Sequence, residues 1–336
     1  MVAPILGGGN VADVLDGALL RASKDRTQQV NGVPLTGFIY CNGSVEYYYQ
    51  PELSHFSLRN SLMSHFHYRN YSVLMEAELA VLQDLGYNID RKAFFGKSIY
   101  NSGTEDEYYK YINYNGYSQR NEAGTAYADG ASTVERGMGL HVYGDYVDVT
   151  QKGVINTIGR GAVGIRVDGE FSDKVTVDAN VGSNGEYGNS LLFAYGTHHN
   201  AAINAGATVE ATGANGIGAR FDFGDNVVGD YMQYEGSYIY AAKDVSQLQR
   251  DPDNPEDTKY YMFPTIYNSF ECTPDNPSEG TCNGSVVDTF DVRGSLEGNK
   301  AAIYMSPNAH VGLRNLSVRC CKRSIGTGIW KDIMDI

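Results

Sequence analysis

Nowhere in this 336-residue chain do about 18 apolar residues run together, so no segment is long enough to cross a bilayer as a helix. Basic residues are scarce. Against 40 Asp and Glu stand only 26 Lys and Arg, and the resulting charge of -14 argues against a nucleic-acid or anionic-membrane partner, since both would be repelled. The five cysteines include no CxxC pair, the spacing that defines cysteine zinc sites. None of the seven histidines is followed by Glu, so the helical zinc-peptidase motif H-E-x-x-H is missing. The opening "MVAPILGGGNVADVLDGALL" has neither a basic start nor an unbroken apolar run, which excludes an ordinary secretory signal at that point.

What the chain does have is Gly (39) and Tyr (26), a balance that suits short strands joined by tight turns. The expected class is mainly β. The clearest helix is "SVLMEAELAVLQDLGY", residues 72–87: Ser72 can cap its start, Met75, Leu79, Leu82 and Leu85 form one stripe, and Gly86 can end it. Glu76 and Glu78 read there as a solvated face. Cys272 and Cys282 bracket the loop "TPDNPSEGT", whose ends could meet in a disulfide under oxidising conditions; two thiols are the alternative.

Residues 101–137 are polar and Tyr-rich, without a clear period, and read as a linker or irregular lead-in. A different texture begins at 138. "GLHVYG" starts at Gly139, "GIRVDG" at Gly164 and "GARFDFG" at Gly218, intervals of 25 and 54. Repeats of that size, built of short strands and Gly/Asn turns, predict a parallel β-solenoid over 138–318, with a β-sandwich or barrel as the competing architecture. Gly and Asn are expected at its left-handed corners. Residues 241–283 hold five of the nine prolines and read as a loop excursion. The stretch 319–336 changes composition abruptly, with the single Trp and two adjacent cysteines, and reads as an atypical tail, either a polar cap or out-of-frame translation.

The stretch "ELSHFSLRNSLMSHFHYRNY", residues 52–71, together with "AELAVLQDLGY" closing at Tyr87, resembles the C-terminal end of leishmanolysin-like zinc metallopeptidases over about 50 residues. In that family an S-H-aromatic segment carries the third zinc histidine, and a methionine turn and a helix follow. The resemblance implies that His55 is the third zinc ligand in an intact parent and that Met63 is the methionine-turn residue beneath the metal. His65 and His67 match no ligand position. A single histidine holds no three-ligand zinc, and no glutamate is placed to activate water. The expectation is therefore a chain with no catalytic residues, with zinc belonging to the parent alone.

The second half, "GMGLHVYGDYVDVTQKGVINTIGRGAVGIRVDG" and "ATVEATGANGIGARFDFGDN", is similar to the passenger repeats of Gram-negative autotransporters. That family implies a right-handed parallel β-helix stalk, a cell-surface or outer-membrane location and a C-terminal β-barrel translocator, for which no strand series is present here. Residues 1–100 then read as the remnant of a metallopeptidase domain. The whole reads as an internal, non-catalytic piece of a surface-displayed peptidase that would meet peptides or a host-surface protein. The alternative is a free-standing β-solenoid stalk or adhesin. A polysaccharide-cleaving β-helix finds little support, because Asp145, Asp148, Asp168 and Asp173 are scattered over strand and turn positions and Asp222 and Asp225 read as turn residues.

Overall fold

The computed structural model describes residues 5–21, 29–41, 47–56, 58, 61–63, 74–119, 135–194, 196–221, 224–228, 231–235, 249–250, 260–261, 286–305 and 309–316. The first part contains β1 (Ile5–Leu6), α1 (Gly9–Leu15), β2 (Leu20–Arg21), β3 (Gln29–Val30), β4 (Val33–Cys41), β5 (Tyr47–Phe56), α2 (Glu76–Asp84) and α3 (Arg91–Phe94). Strands β1, β4 and β5 form an antiparallel sheet, and β2 pairs with β3. Val11, Val14 and Leu15 of α1 and Met75, Ala77, Ala80 and Val81 at α2 join Val33, Leu35 and Phe56 in one apolar core. The Asp84 carboxylate at the end of α2 accepts the Asn10 and Val11 N–H groups at 3.0 and 2.9 Å, which ties the first turn of α1 in place.

The expected helix is shorter than its sequence pattern. Met75 is its N-cap, whereas Ser72 lies outside the described residues. Gly86 does take the left-handed conformation (φ 96°), and Met75 and Leu79 are buried, but Leu85 is 62% exposed because the helix has ended before it.

From residue 95 onward the chain visits three sheets in rotation. The first repeat is β6 (Phe95–Ile99), β7 (Tyr109–Asn113) and β8 (Tyr117–Ser118); the second is β9 (Met138–Val142), β10 (Val147–Gln151) and β11 (Ile155–Thr157). The third is β12 (Val163–Val167), β13 (Lys174–Val177) and β14 (Val181–Ser183), and the fourth is β15 (Asn189–Phe193), β16 (His199–Ile203) and β17 (Thr208–Ala211). Strand β18 (Ile217–Phe221) is followed by two antiparallel pairs, β19 (Gly224–Val228) with β20 (Tyr231–Glu235) and β21 (Gln249–Arg250) with β22 (Tyr260–Tyr261). The rotation then resumes with β23 (Val286–Val292), β24 (Ser295–Gly298), β25 (Ala301–Met305) and β26 (His310–Arg314). The sheets run β7-β10-β13-β16-β23-β26, β8-β11-β14-β17-β24 and β6-β9-β12-β15-β18-β25, and neighbours in them pair in parallel.

Two segments differ from their sequence texture. The stretch 101–137 supplies β7 and β8, so the parallel sheets begin at Phe95, ahead of residue 138. Its period is hidden because Tyr109, Tyr111 and Tyr117 stand where later repeats place Val and Ile, and pack against the same core. The excursion is also longer than 241–283. It separates β18 from β23, yet Ala219 pairs with Ile303 and Ala201 with Phe290 across it, so the ladders continue, with a register shift between His199 and Asn200 on the β16–β23 pair.

Between the sheets lies one core of inward side chains, including Leu140, Ile165, Leu191, Phe193, Val149, Val175, Val181 and Phe290. The recurring glycine has a specific reason. A Cβ on Gly164 would sit 2.5 Å from the Ser190 carbonyl oxygen and 2.6 Å from Val181 Cγ1; one on Gly139 would sit 2.3 Å from Ile155 Cγ2. The backbone of one sheet thus packs directly on the side chains of another, with no room for a further atom.

The corners meet the Gly/Asn expectation in part, at Gly161, Gly196, Gly206, Asn215 and Asn315. Positive φ recurs at Arg136, Gly161, Tyr187 and Asn215, and again at Tyr146, Ser172 and His198, columns one repeat apart. Only two of these seven are Gly or Asn. A side chain in this region costs about 1–2 kcal/mol, and contacts between repeats offset it. The Arg160 guanidinium lies 5.3 Å over the Tyr187 ring, Tyr146 stacks on Phe171 at 5.9 Å, and His198 Nδ1 lies 3.2 Å from Asp288.

Candidate functional site

His55 lies half-buried at the end of β5, one residue before Phe56, whose N–H donates to the Met63 carbonyl at 2.9 Å. The chain therefore turns back on itself between these two residues and brings Met63 near the strand carrying His55. Leu62 and Met63 are 39% and 40% exposed at this turn.

The residue that fixes the turn is Glu78. Its Oε1 accepts from Ser61 Oγ at 2.5 Å and from the Met63 N–H at 2.7 Å, and its Oε2 accepts the Met75 N–H at 2.6 Å. Reaching back from the third helical position to the N-cap satisfies an orphan donor of α2, while the other oxygen clamps the turn onto the helix. Glu76 is buried too, with Arg91 Nε at 3.3 Å and Lys92 Nζ at 3.6 Å. Both glutamates were expected on a solvated face. They are buried because α2 is covered on this side by the turn at 61–63 and by α3. The usual capping signature, Ser or Thr three residues before Glu, is replaced by Met75, so the residue types do not announce the cap.

Burial pushes the Glu78 carboxyl above its ordinary value of 4.5, against the pull of the bonds from Met75, Ser61, Met63 and Leu62. The sign follows from linkage. With the folded value raised, this group's contribution to stability is fully present below the unfolded value and is lost as pH rises through the folded one. In urea melts across pH 4 to 8, Glu78→Gln is expected to remove that dependence. It should also destabilise the first 100 residues by about 2 kcal/mol, since an amide NH₂ faces donors. A pH profile unchanged by the substitution rules out Glu78 as its source.

Among the described residues no three His, Cys, Asp or Glu side chains come together as a metal-binding set. His65 and His67 lie outside the described residues, as do Cys272 and Cys282.

A second group of polar side chains lies where the N-terminal core meets the repeats. His141 Nε2 donates to Asp168 Oδ1 at 2.9 Å, and Arg166 Nε lies 3.2 Å from Asp168 Oδ2; all three residues are 1% exposed or less. The Tyr100 ring meets His141 edge-on, and its hydroxyl accepts the Ala77 N–H of α2 at 2.9 Å. Burial, with Glu76 nearby, pushes the Tyr100 phenol well up. Ser98 stands beside His141 in register, and His141 in turn bonds Asp168, so a serine, a histidine and an aspartate are neighbours. Ser98 Oγ and His141 Nδ1 nevertheless have no hydrogen-bond partner, and Ser98 is 2% exposed, so no nucleophile is activated and no substrate reaches it.

The other aspartates also join successive repeats. Asp145 Oδ1 accepts the Glu170 N–H at 2.6 Å, and Asp173 Oδ1 accepts the Val147 N–H at 2.9 Å. The Asp173 N–H in turn donates to His199 Nδ1 at 3.0 Å, which places that ring's proton on Nε2. Asp148 pairs in register with Lys110 and Lys174 on the outer face. Asp222 lies outside the described residues. Asp145 and Asp173 therefore hold neighbouring repeats together.

Compared with family models, with curated proteins and with solved structures, the chain matches none.

Proposed function

We propose that the chain is a right-handed parallel β-helix serving as the stalk of a surface-displayed protein of the autotransporter kind, and that it performs no catalysis itself. The observation that carries this reading is the parallel pairing of three sheets from β6 to β26, continued on the far side of the excursion. Parallel strands joined by crossovers in one hand stack right-handed in nearly all proteins, and each repeat buries its inward side chains on the next. Such a stack gains stability repeat by repeat, which suits a rigid spacer.

In the same reading, residues 1–100 are the end of a leishmanolysin-like peptidase unit whose zinc set belongs to a longer parent. The exposed Leu62–Met63 turn, held by Glu78 next to His55, supports it. The close seating of α1 on the first repeat favours the second reading, a free-standing stalk or adhesin with its own cap. Lys97, at an inward register position, meets Asp16 beyond the end of α1 at 3.7 Å, and Asn101 donates to the Asp16 carbonyl at 3.4 Å.

Both readings predict a fold that survives exposure. Placed between a cleavable export signal and an outer-membrane barrel, the chain is expected on the surface of intact cells, with a protease-resistant core covering residues 138–316. Retention inside the cell envelope with complete digestion of that core would overturn the stalk.

A further inference from the structure

The near end of the stack differs from its interior. Strands β6, β7 and β8 are the terminal strands of the three parallel sheets, so among the described residues each has one edge with no strand beside it. Such edges invite pairing with another chain. The Tyr109 N–H donates to the Tyr146 carbonyl on the β10 side at 3.0 Å. Successive backbone groups of a strand alternate in direction, so those of Lys110 and Ile112 point to the open side.

Three features of this end oppose pairing. On β6, Lys97 stands in register with Leu140, at the head of the inward column that Ile165, Leu191, Ala219 and Ile303 continue. Its ammonium lies 5.8 Å from the centre of the Tyr111 ring and 3.7 Å from Asp16 Oδ2, so a charge faces the inward side chains of the first repeat. Beside β7, Val14, Leu15 and Asp16 at the end of α1 line a cleft with Tyr109 and Tyr111. That helix end is fastened: Asn101 Nδ2 donates to the Asp16 carbonyl at 3.4 Å, and Arg91 donates to Asp13 at 2.8 Å. Third, β8 has two residues where β11 and β14 have three and β17 and β24 have four. At the far end the inward positions of β24, β25 and β26 hold Leu296, Ile303, Met305, Val311 and Leu313, with no charge among them.

We propose that Lys97, braced by Asp16 and the end of α1, bars a second copy of this chain from adding its strands to the near end. This rests on the stacked-repeat reading above. A second copy is the occupant to exclude because a parallel ladder has a direction. Strand β26 ends the sheet that β7 begins, so the outer edge of one matches the outer edge of the other just as neighbouring strands match within the sheet. A further repeat over Lys97 would shut its ammonium away from water with a single carboxylate beyond hydrogen-bond reach, which is costly. An inward charge on a terminal strand is a known safeguard against such addition.

Sedimentation velocity of the full chain over a concentration series tests this. The wild type is expected to run as a monomer throughout. Lys97→Leu, which gives the position the residue type of Leu140 and Leu191, should keep its far-UV circular dichroism and shift to faster, concentration-dependent species, whereas Lys97→Arg should stay monomeric. Adding Ile112→Pro to Lys97→Leu should restore the monomer, since proline removes an N–H from the open edge of β7. A folded Lys97→Leu chain that stays monomeric overturns the proposal, and so do wild-type chains that already assemble. Assembly that persists with Ile112→Pro places the contact elsewhere, which also overturns it. If Lys97→Leu does not fold, Lys97→Gln carries the same test, because it removes the charge and keeps a polar side chain. Loss of surface display with this pattern intact sinks the stalk reading and leaves the barrier standing.

Discussion

Ile165→Asp is expected to unfold the repeats around β12, lowering stability by on the order of 5 kcal/mol. Ile165 is fully buried and pairs in register with Leu140 on one side and Leu191 on the other. The substitution removes the apolar contacts of a fully buried side chain and places a carboxylate among Leu, Val and Phe side chains with no donor aimed at it. Because each repeat rests on its neighbours, the loss should spread along the stack. Chemical denaturation followed by far-UV circular dichroism reads it directly, and an unchanged midpoint would remove Ile165 from the interior.

The second large effect comes from adding atoms where none fit. Gly164→Val puts a branched side chain where even a Cβ lies 2.5 Å from the Ser190 carbonyl and 2.6 Å from Val181 Cγ1. The backbone oxygen has no freedom to rotate away, so the sheets must separate locally, at a cost of about 3 kcal/mol. Gly9→Ala is the matched control: nothing lies within 4 Å of a Cβ there, and the change is expected to be neutral or slightly stabilising. Equal melting of the two variants would show that the recurring glycine is not a packing requirement.

The repeats were legible in the sequence because every turn of the chain meets the same local demands. Gly139, Gly164 and Gly218 mark places where one backbone lies on another sheet's side chains, and the flanking alternation marks the inward face. The same signal faded over 101–137, where Tyr109, Tyr111 and Tyr117 fill inward positions and 120–134 interrupt the period. The left-handed corners were legible at Gly161, Gly196, Gly206, Asn215 and Asn315; at Tyr146, Ser172, Tyr187 and His198 the residue type does not announce the backbone.

The candidate sites divide along the same line. His55 and Met63 stood out by motif, and their approach through the Phe56–Met63 hydrogen bond follows from chain proximity. Glu78 did not stand out, since its partner Ser61 is 17 residues away and the turn it holds has no helical signature.

By itself, then, the sequence determined the mainly β character, the position of α2 and the spacing of the parallel strands, all of which depend on neighbours within a few residues. Only the tertiary structure decided that Glu76, Glu78, Asp145, Asp168 and Asp173 are buried connectors, because each finds its partner across a helix face or on the adjoining repeat. A carboxylate on a solvated face and one that accepts buried N–H groups are the same letter. What separates them is which donors the fold brings within about 3 Å.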